Sequence, residues 1–249
     1  TANIQSLPYI RRLDSFLSAF DDLKSRRKVA PSAIDIPLYC KSVVSKLRNS
    51  KVHLESILSI SEWVTPPSTS TSGATGSSIS TTNVSLPTFD ISGNLDNFFG
   101  NLLSAFDIFA QVTNLVYLTP PLNESDVSFD RVVNEMACGL QNEVITQYLL
   151  SVQRSQWYKN QKAFRRCAIH RKSIPFTVTM EFAYLQTSSF PKVTAVLLPD
   201  NPYLKIPTYQ KKQEMRVFGM NIFQNTLNAI DDMYGIMEVR VRAADRIPI

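Results

Sequence analysis

Seven cations stand between Arg154 and Lys172, with no acid among them. They are Arg154, Lys159, Lys162, Arg165, Arg166, Arg171 and Lys172; the nearest carboxylates are Glu143 before the stretch and Glu181 after it. The chain carries a formal net charge of +5, and without these seven it would stand near −2. Its basic character is therefore local. A focused positive field on a near-neutral body points to an anionic partner. The chemistry on offer is electrostatic. Lys and Arg neutralise phosphates and release counterions, while Trp157, Tyr158 or Phe164 can stack on a base or shield the contact from water. Arg165 and Arg166 are the first candidates for phosphate contacts, supported by Arg154, Lys159, Lys162, Arg171 and Lys172, with Trp157 as the stacking residue. The plainer reading of the same stretch is a solvated helix end whose aromatic side chains face the core. Two further basic clusters could extend the surface: Lys205, Lys211, Lys212 and Arg216, and then Arg240, Arg242 and Arg246.

Residue types suited to catalysis are sparse. Histidine occurs only as His53 and His170, and neither has a sequence-local acid or nucleophile that completes a known motif. Cys167 and His170 form a lone C-x-x-H, whereas structural zinc needs a second pair of ligands. Asp21-Asp22 and Asp231-Asp232 are adjacent pairs that point about 100° apart on a helix. They read as solvated helix faces. With only 7 glycines in 249 residues, the chain has no glycine-rich phosphate loop. The reading is a non-catalytic protein with no metal and no cofactor. Cys40, Cys138 and Cys167 give no disulfide framework. There is no apolar signal-peptide core near Thr1, and no run reaches the ~20 apolar residues of a membrane span. An intracellular location is expected, or a virion if the chain is viral.

The elements that position the basic stretch follow from periodicity. Ile10, Leu13, Leu17, Phe20 and Leu23 mark a first helix. A second spans Leu38 to Leu47, and Ser50 caps a third carrying Leu54, Ile57, Leu58 and Trp63. The run from Thr65 to Thr88 is almost all Ser, Thr, Pro, Gly and Asn, and reads as a long loop or inter-subunit arm. The most apolar segment, Leu95 to Leu118, is a central core helix or a subunit interface, stopped at Thr119-Pro120-Pro121. Ser125 or Ser128 caps a helix striped by Val132, Val133, Met136, Leu140, Val144, Tyr148 and Val152, which runs directly into the basic stretch. Phe176, Val178, Met180, Phe182 and Tyr184 alternate as a strand, with Val193 to Leu198 as its partner. A stiff connection follows through Pro199, Pro202 and Pro207, containing Tyr203 and Tyr209. A last helix carries Val217, Ile222, Leu227, Ile230 and Tyr234. Met237, Val239 and Val241 then alternate with Glu238, Arg240 and Arg242 as an edge strand.

The fold class is α+β: mainly helical for the N-terminal two-thirds, with a small antiparallel sheet and one helix in the C-terminal third. The expected division is an N-terminal helical segment over 1–64, the Ser/Thr-rich loop or arm over 65–93 and the main α+β domain over 94–249. These features describe a self-assembling structural protein, a homo-oligomer of viral coat or nucleocapsid type, that binds or packages RNA or another nucleic acid through its phosphates. The alternatives are an interaction subunit of a larger intracellular complex, whose basic block meets acidic protein, and an enzyme with an unrecognised site.

Overall fold

The computed structural model describes residues 10–26, 33–59, 88–171, 173–185 and 188–244. The Ser/Thr-rich run from Thr65 as far as residue 87, Lys172 and Arg246 lie outside them. The fold is α+β. Its helices are α1 (Leu13–Ser25), α2 (Ile36–Ser59), α3 (Thr88–Tyr117), α4 (Phe129–Gly139), α5 (Val144–Arg154), α6 (Gln156–Arg171) and α7 (Met215–Ala243). The strands β1 (Thr177–Leu185), β2 (Ser188–Leu198) and β3 (Gln213–Glu214) lie between α6 and α7.

A wide apolar face dictates where α3 must lie. Leu95, Phe98, Phe99, Leu102, Phe106, Phe109 and Val112 are all buried, and at about 100° per residue they share one side of the helix. Gly93 and Asn97 on the opposite side are exposed, so α3 lays a broad stripe against the core and leaves the other face to water. α2 runs along α3, and α6, α4 and α7 also pack on it. Phe99 stacks on Phe164 of α6 at 4.8 Å between ring centres, and Phe106 meets Phe129 of α4 edge-on at 4.9 Å. The N-terminal helices belong to the same contiguous core, since Phe16, Phe20, Val43 and Leu47 pack in one cluster with α3 and α7. Tyr234 of α7 links them, lying 5.3 Å from the ring of Phe16 and 5.1 Å from that of Phe109.

Five local expectations are corrected by the structure. First, α2 is one helix running through Ser50. That residue does not cap a new helix; its hydroxyl bonds back to the Lys46 carbonyl at 2.9 Å, a mid-helix arrangement. Second, α3 starts at Thr88, so the last residues of the expected 65–93 arm are helical. Third, the helix leading into the basic stretch is broken twice. Ser128 caps α4, accepting the Arg131 N–H, and α4 ends at Gly139 in a turn closed by Glu143 N–H to the Leu140 carbonyl at 3.0 Å. Ser155 separates α5 from α6 with an extended backbone; its hydroxyl takes the Tyr158 N–H at 3.4 Å and donates to the Val152 carbonyl at 2.7 Å.

Fourth, the tail is helical. α7 continues to Ala243, with Met237 and Val241 buried one turn apart while Val239 is 69% exposed. Glu238 and Arg242 form an i,i+4 pair at 2.8 Å on its surface. Fifth, Asp231 is no solvated residue. It is 6% exposed and takes the Arg12 backbone N–H at 2.9 Å, while Arg12 also reaches Asp232 at 3.4 Å. Tyr148 of α5 donates to the other oxygen of Asp232 at 2.9 Å.

The sheet is antiparallel in the order β1-β2-β3. Thr177 opposes Leu197, and the register shifts once between Thr179 and Met180. β3 was not visible in the sequence pattern; it pairs Glu214 with Leu197 and feeds α7 without a break. Val193, Val196 and Leu198 are buried, and β2 packs on α7.

Two substitutions test this architecture. Phe99→Ala empties a fully buried ring site and should lower unfolding free energy by about 3–5 kcal/mol in denaturant titration. Met237→Ala should cost about 2–5 kcal/mol, whereas Val239→Ala should change stability by less than about 0.5 kcal/mol. Equal costs at the two positions would restore the strand reading of the tail.

Candidate nucleic-acid interface

α6 has two faces. Tyr158, Gln161, Phe164 and Cys167, three residues apart, point into the core, and Gln161 accepts the Thr226 hydroxyl of α7 at 3.2 Å. Lys159, Lys162, Arg166, Ile169 and His170 turn outward to form the floor of a groove of about 880 Å³. Its walls are Asp107 of α3, Asp130 and Asn134 of α4, Gln153 and Arg154 of α5, and Tyr203 from the loop after β2. The kink at Ser155 brings Arg154 to the same groove as the cations of α6.

Five cations and two carboxylates line this groove, leaving three formal positive charges. Both carboxylates are engaged. Lys162 is hydrogen-bonded to Asp130, which also accepts the Gln153 amide at 3.2 Å, and its ammonium sits 5.7 Å above the Tyr158 ring. Arg165 lies 3.1 Å from one oxygen of Asp107, whose other oxygen takes the Phe129 N–H at the start of α4, also at 3.1 Å. Burial pushes the Tyr158 phenol well above its usual range, and the negative charges of Asp130 and Asp107 push it the same way. It therefore stays a neutral part of the wall.

The eight residues singled out in the sequence separate accordingly. Arg154, Lys159 and Arg166 are exposed in the groove, and no acid among the described residues pairs with them. Lys162 and Arg165 line it too, but their charges are shared with Asp130 and Asp107. Arg165 is thus not the open phosphate ligand that its sequence position suggests. Arg171 closes α6. Trp157 is not among the lining residues; it is half-buried and leans on the core, 6.0 Å from Phe106 and 6.1 Å from Tyr158. Its ring is engaged in packing within the fold. Nor do the described residues of the other basic clusters line the groove. Arg216 pairs with Glu214 at 4.0 Å, Arg242 with Glu238, and Arg240 lies over the Tyr117 ring at 5.8 Å.

Of the two tyrosines that line the groove, Tyr158 is buried and Tyr203 is exposed. Its loop is built around Asp200, which accepts the Lys211 and Gln210 N–H groups at 2.8 Å and the Thr208 hydroxyl at 2.9 Å. Desolvation raises the Asp200 pKa, but the hydrogen bonds from Lys211, Thr208 and Gln210 outweigh it and hold the carboxyl below its usual range. The Cys167 thiol of α6 donates to the Pro202 carbonyl at 3.3 Å, fastening the loop beside the groove. The only sequence sign of this role was an aromatic residue beside a proline-rich connection.

The histidines form no catalytic group with each other. His53 Nδ1 is 2.7 Å from Asn94 Oδ1, remote from the groove lining, and His170 is exposed while Cys167 beside it in sequence is buried. Among the described residues no three His, Cys, Asp or Glu side chains converge on a possible metal position. No helix among them is long and apolar enough to cross a membrane. No family model, curated protein or solved structure matches this chain.

Asp130→Asn should free Lys162 and remove one negative charge from the groove. The variant should elute from heparin at higher salt, with little change in melting temperature, because a half-exposed pair contributes only about 0–1 kcal/mol. Unchanged elution would show that Lys162 does not face the ligand.

Proposed function

We propose that this chain is a non-catalytic nucleic-acid-binding protein that holds a phosphate backbone along α6. One observation carries the reading: Arg154, Lys159 and Arg166 are exposed in a single concave groove and have no acid partner among the described residues. Cations gathered in a concavity raise the local potential more than the same number spread over a convex surface. Backbone contacts fix the position of a strand without reading its bases, so binding of this kind is insensitive to sequence. Burial of α3 in its own protomer accounts for that helix's apolarity, which therefore gives no argument for self-assembly.

Each phosphate contact contributes about 0.7 to 0.9 to the slope of log affinity against log salt. Lys159→Ala with Arg166→Ala should therefore flatten that slope by about 1.4 to 1.8, with similar losses on unrelated sequences. Arg165→Ala should act differently. It leaves Asp107 without its cation and should lower stability more than it changes the slope. A Lys159/Arg166 double variant with unaltered affinity and slope for RNA and DNA would overturn the proposal. It would shift the groove to an acidic protein partner, detectable as salt-sensitive binding to polyglutamate.

A further inference from the structure

We infer that the groove takes single-stranded nucleic acid, with one base stacked on Tyr203; this rests on the phosphate-binding reading above. Cations alone do not distinguish a duplex from a single strand, since both offer phosphates. The distinction comes from what else lines the groove. Tyr203 is 37% exposed and Ile169 is 62% exposed, and both border the same concavity as Arg166 and His170. Apolar surface exposed within a cationic groove is not needed to bind a duplex backbone. In a duplex the base faces are covered by their neighbours, whereas a single strand can turn a base onto an aromatic ring.

Tyr203 is also held in place before any ligand arrives. Pro202 precedes it, and the Pro202 carbonyl is held by Cys167 at the buried face of α6. Asn201 accepts the Tyr203 N–H at 2.9 Å, and Asp200 gathers the returning strand of the loop through Thr208, Gln210 and Lys211. A loop backbone so fixed needs little ordering when a base packs on the ring it carries. The arrangement separates the two tasks. Arg154, Lys159 and Arg166 act on the sugar-phosphate backbone, and Tyr203 acts on a base without identifying it, because every base has a π-face.

The test compares a fluorescein-labelled oligothymidylate, a mixed-sequence duplex of equal length and phosphatidylserine vesicles, using the full chain. Tyr203→Ala should weaken oligothymidylate binding by about 5- to 150-fold, leave its salt slope unchanged and leave duplex affinity unchanged. Tyr203→Phe should bind like the parent, and Tyr203→Leu, which keeps apolar bulk and loses the ring, should behave like Tyr203→Ala. The leucine variant also separates stacking from loop integrity should the alanine variant fold poorly. Unchanged oligothymidylate binding by Tyr203→Leu, with a flattened slope in the Lys159/Arg166 double variant, overturns the stacking inference and leaves the phosphate reading standing. A parent chain that binds neither oligonucleotide overturns both. Tyr203-dependent binding to vesicles without binding to oligothymidylate overturns both in favour of an anionic lipid surface.

Discussion

α3 carries a broad apolar face that has to be covered along its whole length, and this constraint shapes the molecule. At 30 residues it is about 45 Å long, more than one neighbouring helix can enclose. α2, α4, α6 and α7 each pack on part of it. The two carboxylates on its core stretch are used as fasteners. Asp96 accepts the Ile174 N–H at 3.0 Å where the chain leaves α6 for the sheet, and burial holds its carboxyl above the usual range despite that bond. Asp107 takes the first N–H of α4 and the guanidinium of Arg165. Together with the Phe99–Phe164 stack, these bonds fix how α6 lies on α3, and so which of its cations face water.

Placement also divides the positive charge. A cation close to a helix that carries an acid is drawn into structure; one a turn further round is left for a ligand. Lys162 and Arg165 belong to the first kind, Lys159 and Arg166 to the second, although the four lie within two turns of one helix. The groove is thus a mixed surface, part framework and part contact, in which removing an acid and removing a base have opposite effects on an anionic ligand.

The architecture was largely readable in the residues because burial imposes periodicity. The apolar run of α3, the alternation through Phe176 and Val178 and the cap at Ser128 are local signals of local structure. The failures share a cause. Met237, Val239 and Val241 alternate over too few residues to separate a strand from one helix face, and only packing against the core shows that Val239 faces water. The site was legible as a charge block but not as a geometry. Asp130 and Asp107, which engage Lys162 and Arg165, are 32 and 58 residues away along the chain, and Tyr203 follows a strand that begins after α6. No local pattern reports such partners. The packing of Trp157 was hidden for the same reason, since its neighbour Phe106 belongs to α3.

The bond from the Arg12 backbone to Asp231 spans 219 residues of sequence. α1 buries Phe16 and Phe20, and much of that face lies on α7, so the partner that covers it is made about 219 residues later. At roughly 5–20 residues per second, translation takes about 10–45 s to deliver it. During that interval α1 emerges from the ribosome with an apolar face and no place to put it. Contacts of such long range also slow the search for the native state once the chain is complete. The joint between α1 and α7 therefore leaves the apolar face of α1 in need of cover while the chain grows, a demand set by the order of the helices.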